Sequence, residues 1–219
     1  MAQPYSARSR AIEPFHVMAL LARANELQAA GHDVIHLEIG EPDFTTAEPI
    51  IKAGQAALSA GKTRYTAARG IPELRGAISG FYQQRYGLDI DPERIMITPG
   101  GSGALLLTSS LLVDPGKHWL LADPGYPCNR HFLRLVEGAA QLVPVGPDMR
   151  YQLTPDLVER YWDQDSVGAL VASPANPTGT VLSRDELAGL STAIKARNGH
   201  LVVDEIYHCL LYTSPSPRD

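Results

Sequence analysis

Four short loops hold the residues whose types and spacing could do chemistry. Thr98-Pro-Gly-Gly-Ser-Gly-Ala104 has glycines that let backbone N–H groups approach an anion, and a helix starting there adds favourable partial charge. No Lys-Ser/Thr pair follows and the spacing is not Gly-x-Gly-x-x-Gly, so a tight turn that binds nothing competes with the anion site. Asp123-Pro-Gly-Tyr-Pro-Cys128 sets Tyr126 between two prolines, a rigid turn that either stacks its ring on a flat ligand or packs at the surface. Ser173-Pro-Ala-Asn-Pro-Thr-Gly179 offers the Asn176 amide, both donor and acceptor, or else an Asx-type turn closing a crossover. Asp204-Glu-Ile-Tyr207 directly follows three apolar residues. A carboxylate at the C-terminal end of a buried strand costs desolvation unless a partner meets it, and a bound cation is one such partner.

The elements that must position these loops follow from two alternating periodicities. Phe15, Met18, Leu21, Ala24 and Leu27 recur at helical spacing up to Gly31, and Val34–Leu37 reads as a short strand. Further helices are expected from Pro49 to Gly61 and after Pro72, where proline suits the first turn. Strands are then expected at Ile95–Thr98, His118–Ala122, Gln141–Val145, Val167–Ala172 and Leu201–Val203. Helices are expected between them at Gly103–Val113, at Cys128–Glu137, after Thr154–Pro155, and from Ser183 to near Gly199, where Ser183 and Glu186 have the capping-box spacing. Solid apolar strands alternating with helices predict an α/β fold with a mostly parallel sheet covered on both faces. All four loops then follow strands, where open α/β sheets take their ligands.

Together the four loops resemble the fold-type I pyridoxal-phosphate enzymes, the class I/II aminotransferases in particular, over roughly residues 12–211. The matching text is Leu37-Glu-Ile-Gly-Glu-Pro-Asp-Phe44, Tyr65-Thr-Ala-Ala-Arg-Gly-Ile-Pro-Glu-Leu-Arg75, Gly100-Gly-Ser-Gly-Ala104, Asn176-Pro-Thr-Gly179 and Asp204-Glu-Ile-Tyr207. The resemblance implies a three-layer α/β/α major domain, truncated here, with pyridoxal 5'-phosphate as cofactor and amino and 2-oxo acids as substrates. It implies that Gly101, Ser102 and Gly103 hold the cofactor phosphate, although many relatives carry a longer polar residue where Gly103 stands. Tyr126 would stack on the pyridine ring, Asn176 and Tyr207 would hydrogen-bond its phenolic oxygen, and Asp204 would pair with the ring nitrogen. Gly40 would lie near the substrate carboxylate, and Tyr65 would reach the phosphate of a neighbouring subunit, which implies a homodimer. An Asn176–Pro177 cis peptide is expected on the same ground. The same motifs serve lyases and synthases of this fold, and a non-catalytic pyridoxal-phosphate-binding fragment is a further alternative.

The family's lysine, which joins the cofactor covalently, stands beyond the Asp-x-x-Tyr motif in a Ser-x-x-Lys context. Here Lys52, Lys62, Lys117 and Lys195 all precede Asp204, and the family's late carboxylate-binding arginine has no counterpart. The expected organisation is an N-terminal arm with part of a small domain over 1–45, an incomplete cofactor-binding domain over 46–211, and a disordered or artefactual tail over 212–219. By itself such a chain is expected to be neither active nor a stable domain.

Composition narrows the remaining classes. With 19 basic against 24 acidic side chains and a net charge of −5, the chain lacks the electrostatic footprint of a nucleic-acid binder. Cys128 and Cys209 are too few for a disulfide framework and lack metal-ligand spacing. The apolar stretch around Ala104–Val113 is interrupted by Thr108, Ser109 and Ser110, and Glu13, His16 and Arg23 break any signal-peptide segment. No membrane partner and a cytoplasmic location are therefore expected.

Overall fold

A computed structural model describes residues 5–12, 15–40 and 44–210. The 212–219 tail and part of the Leu37–Phe44 motif lie outside the described residues. The chain divides into two compact units, one of Pro14–Pro99 and the other of Met1–Glu13 with Gly100–Asp219.

The second unit contains the short helix α1 (Ala7–Arg10), and the first unit contains α2 (His16–Ala29), α3 (Glu48–Ser59) and α4 (Pro72–Tyr86). Proline stands in the first turn of both α3 and α4, and α4 ends where Gly87 turns left-handed at φ 68°. Arg75 of α4 is buried, and its guanidinium donates to the Pro92 carbonyl at 3.0 Å and to Glu93 Oε1 at 2.9 Å. The strands expected at Val34–Leu37 and Ile95–Thr98 do not form. An apolar run makes a strand only where a neighbour supplies a ladder. Ile35 and Leu37 are 82% and 88% exposed, and the Ile97 N–H donates to the Arg69 carbonyl, a loop partner, at 3.1 Å.

The second unit continues with α5 (Gly100–Leu112), β1 (His118–Asp123), α6 (Asn129–Leu135), β2 (Ala139–Pro144), α7 (Pro155–Tyr161), β3 (Ser166–Ala172), α8 (Arg184–Lys195) and β4 (His200–Asp204). The sheet order is β2-β1-β3-β4, and every pairing is parallel. Side chains of a strand alternate between faces, so each strand feeds two cores. Leu120, Val143, Ala169 and Val171 pack with Leu157, Val158, Leu190 and Ile194 of α7 and α8. Trp119, Leu121 and Leu170 pack with Leu133 of α6 and with Leu105 and Leu112 of α5. This is the three-layer arrangement expected from the alternation of elements.

Two local devices hold the layers. Ser183 and Glu186 form the expected capping box: the Ser183 N–H donates to Glu186 Oε2 at 2.7 Å, and the Glu186 N–H donates to Ser183 Oγ at 3.3 Å. Arg150 adds a contact to the same carboxylate at 2.6 Å. Where β1 meets β3, Trp119 lies opposite Gly168, and a Cβ there would stand 2.5 Å from the His200 carbonyl and 2.8 Å from Trp119 Nε1.

Gly168→Ala is expected to destabilise the fold by about 1–3 kcal/mol, because backbone and a buried indole cannot both give way. Urea denaturation of the variant measures it. Ser183→Ala is expected to cost about 1 kcal/mol by the same measurement. The Ser183 backbone and hydroxyl, then Arg150, hold the Glu186 carboxyl below its ordinary value of 4.5. A depressed carboxylate stabilises fully above its unfolded pKa and stops doing so as pH falls through the folded value. The stability difference between the parent chain and Glu186→Gln should therefore be constant near neutrality and shrink below pH 4.5.

Candidate functional site

The parallel ladders deliver the loops to one rim. Ala172 at the end of β3 pairs with Asp204 at the end of β4, and the Ser173 N–H donates to the Asp204 carbonyl at 3.0 Å. The turn after β3 is closed on itself: the Gly179 N–H donates to the Ala175 carbonyl at 2.7 Å and the Ala175 N–H to the Thr180 carbonyl at 2.9 Å. Buried Gln152 ties the turn down by donating to the Ala172 carbonyl at 3.1 Å and to Thr180 Oγ1 at 3.2 Å. The peptide bonds before Pro124, Pro174 and Pro177 are cis; sequence reasoning anticipated only the last of the three.

A cleft of about 160 Å³ at this rim is lined by Gly101, Ser102, Tyr126, Asn176, Asp204 and Tyr207. Six of the nine residues singled out from the sequence thus converge. Helix α5 begins at Gly100, three residues earlier than its apolar spacing suggested, so Gly101 and Ser102 lie in its first turn. First-turn N–H groups have no intrahelical acceptor and carry partial positive charge. Asn176 Nδ2 donates to the Tyr207 hydroxyl at 3.5 Å, a long contact that brings the two side chains together. Asp204 is half-buried rather than buried, and its Oδ1 accepts the Ile206 N–H at 3.0 Å. No cation pairs with Asp204 among the described residues. Tyr126 also walls a second cleft of about 200 Å³, which shares Ala172 and Asn176 with the first and adds Asn129, Arg130 and Gln152. A hydrogen bond to the Cys128 side chain, helped by burial, pushes the Tyr126 phenol up to about 12.

Three expected residues stand apart. Gly103 is in α5 but does not line the cleft. Tyr65 and Gly40 belong to the Pro14–Pro99 unit; Tyr65 is fully exposed, and a Cβ on Gly40 would meet nothing within 4 Å. Sequence reasoning missed Leu105, Ala172 and Ile206, which complete the lining. The signals were present: Leu105 follows Gly101 by one helical turn, Ala172 ends an apolar strand, and Ile206 sits inside the Asp-x-Ile-Tyr motif. No residue lining the cleft is a lysine.

Comparison with known proteins assigns the chain to a family. The family model for aminotransferase class I and II matches residues 32–218, and the chain belongs to that family. It is 39% identical over 201 residues to a valine–pyruvate aminotransferase of Mycobacterium tuberculosis, covering 92% of this chain and 52% of that protein. It is 35% identical to an aspartate/prephenate aminotransferase of Thermus thermophilus, covering 94% of this chain and 54% of that protein. Among solved structures, an aminotransferase from Mycobacterium tuberculosis superposes with a TM-score of 0.91 at 38% identity, over 97% of this chain and 55% of that one. The aspartate aminotransferase of Thermus thermophilus with maleate also gives 0.91, at 34% identity, over 97% and 56%. The chain spans about half the length of these relatives.

The glycines of the rim differ in what they tolerate. A Cβ on Gly125 would lie 2.4 Å from the Ala122 carbonyl, whereas one on Gly101 would reach Ile206 Cδ1 at an ordinary 3.5 Å. Gly125→Ala is expected to lower stability by about 1–3 kcal/mol and Gly101→Ala to stay within about 0.5 kcal/mol, compared by thermal melting.

Proposed function

We propose that this chain forms the cofactor-binding part of a pyridoxal-phosphate-dependent aminotransferase, which passes an amino group between an amino acid and a 2-oxo acid. The observation that carries this reading is the convergence of Gly101, Ser102, Tyr126, Asn176, Asp204 and Tyr207 on one cleft. The donor set fits the cofactor: first-turn N–H groups of α5 for a phosphate, an aromatic face for a ring, a paired amide and phenol for a hydroxyl, and a carboxylate for a protonated ring nitrogen.

When bound, the cofactor supplies a ring that accepts electrons from the substrate carbon. The chain's residues bind and orient it. Gly101 and Ser102 at the start of α5 would hold the phosphate, with Gly103 behind them in the same turn. Asp204 would keep the ring nitrogen protonated, its Oδ1 fixed by the Ile206 N–H. Tyr207 and Asn176, already in contact, would grip the ring hydroxyl from one side. Tyr126 would cover one face of the ring, and Ile206 and Leu105 would exclude water beside it. Gly40 and Tyr65 would serve substrate and a neighbouring subunit's phosphate, in a homodimer of the full-length protein acting in the cytoplasm. Among the described residues no helix is long and apolar enough to cross a membrane.

Pyridoxal phosphate titrated into the full-length protein should bind, and Asp204→Ala should weaken that binding about tenfold or more, as loss of a charge-assisted hydrogen bond does. Absorbance of the bound cofactor reads it out. The full-length protein should exchange amino groups between an amino acid and 2-oxoglutarate; elimination or condensation products without exchange would instead mark a lyase or synthase. Unchanged cofactor affinity in Asp204→Ala would overturn the assignment of that residue.

A further inference from the structure

The segment that carries Tyr65 is braced from its far end. Tyr65 itself is fully exposed, and α4 begins only at Pro72. Between them the Gly70 N–H donates to the Ala67 carbonyl at 2.9 Å, and the Ile97 N–H donates to the Arg69 carbonyl at 3.1 Å. Gly70 takes φ 93° with Ile97 standing where a Cβ would go, so the turn closes directly on the Ile97 segment. One side chain adds to these main-chain bonds. Arg69 Nη1 donates to the Glu93 carbonyl at 2.8 Å, and its Nη2 pairs with Glu93 Oε2. Glu93 is held in its place as well: its N–H donates to Asp91 Oδ1 at 2.8 Å, and its Oε1 accepts from Arg75 Nη1 at 2.9 Å. Arg75 is buried, and Glu93 is the carboxylate paired with it among the described residues. A buried guanidinium loses its carboxylate only at large cost, so Glu93 is not free to swing away from Arg69. The links from Arg75 through Glu93 to Arg69 thus run from a buried helix residue to an exposed turn, all within the Pro14–Pro99 unit.

We infer that Arg69 is a positioning residue: its guanidinium clamps the turn after Tyr65 to Glu93, which Arg75 holds in place, and so fixes the backbone from which Tyr65 projects. The inference rests on the reading of Tyr65 as a ligand of a neighbouring subunit's phosphate only for its consequence in cofactor binding. A tyrosine on a preset backbone meets an anion without ordering a loop at the moment of binding, whereas a loose turn costs affinity. Tyr65 would do the touching, and Arg69 acts through it. The side chains of Arg69 and Glu93 are 46% and 56% exposed, and a pair so exposed adds little to global stability. Loss of Arg69 should therefore loosen the turn without melting the fold.

The test uses the full-length protein with Arg69→Ala, Glu93→Gln, Tyr65→Phe and their combinations. Amide hydrogen exchange of the cofactor-free protein reads the turn. Arg69→Ala should speed exchange at Gly70 and Ile97 about three- to tenfold and leave α4 unchanged, with the melting temperature within about 2 °C of the parent. Glu93→Gln keeps an acceptor oxygen for Arg75 but not a second one for Arg69. It should loosen the turn in the same direction and add nothing to Arg69→Ala. Pyridoxal phosphate affinity, read by absorbance, should fall about three- to tenfold in Arg69→Ala and be insensitive to Arg69→Ala once Tyr65→Phe is present. Unchanged exchange at Gly70 and Ile97 in Arg69→Ala overturns the inference. So does a melting temperature that falls well beyond that margin, or an effect of Glu93→Gln that adds to that of Arg69→Ala. An affinity loss that persists in the Tyr65→Phe background also overturns it, as does unchanged affinity in Arg69→Ala where Tyr65→Phe weakens binding. If the turn loosens as expected but Tyr65→Phe binds the cofactor as tightly as the parent, Arg69 stands as the brace of the turn and the phosphate reading of Tyr65 falls.

Discussion

The parallel pairing of β3 with β4 is the constraint on which the site depends. Ala172 and Asp204 are partners at the last step of that ladder, and the Ser173 N–H extends it by one more bond to the Asp204 carbonyl. A slip of one residue would turn Asp204 toward the opposite face of the sheet, because strand side chains alternate. It would also displace the Asn176 turn, whose starting point is the end of β3. One register therefore fixes both the carboxylate and the amide–phenol pair, and β1, bonded to β3, brings Tyr126 to the same rim.

What secures the register is the pair of cores on either side of the sheet. Leu120, Ala169 and Val171 face α7 and α8, while Trp119, Leu121 and Leu170 face α5 and α6, so a slipped strand would carry its apolar set into the wrong layer. Trp119 makes this stricter on its own side. Its indole is fully buried opposite Gly168, where only a glycine leaves room. The rim itself stays more open, with Asp204, Asn176 and Tyr126 half-buried, which leaves room for a ligand.

Much of this was legible in the sequence where local chemistry decides the outcome. Prolines in first turns, the Ser183–Glu186 spacing and solid apolar strands located α3, α4, α8 and the four strands to within a few residues. Ile95–Thr98 and Val34–Leu37 were misread because hydrophobicity reports burial potential and not the presence of a ladder partner. Helix α5 starts at Gly100 and not at Gly103, because glycines at a helix start serve backbone exposure and not packing. The contact between Asn176 and Tyr207 spans thirty-one residues, and only the ladder between them makes it.

The polarity of the cleft follows from the same chain geometry. Helix α5 contributes first-turn donors with partial positive charge, and β4 ends in a carboxylate that accepts hydrogen bonds only. A planar ligand with an anionic group on one side and a protonated nitrogen on another would be oriented by that pair. Tyr126 adds an aromatic face and, as a phenol, no formal charge near neutrality. The contrast between the helix start and the strand end would therefore set which way such a ligand lies, and the Tyr126 ring would cover its plane.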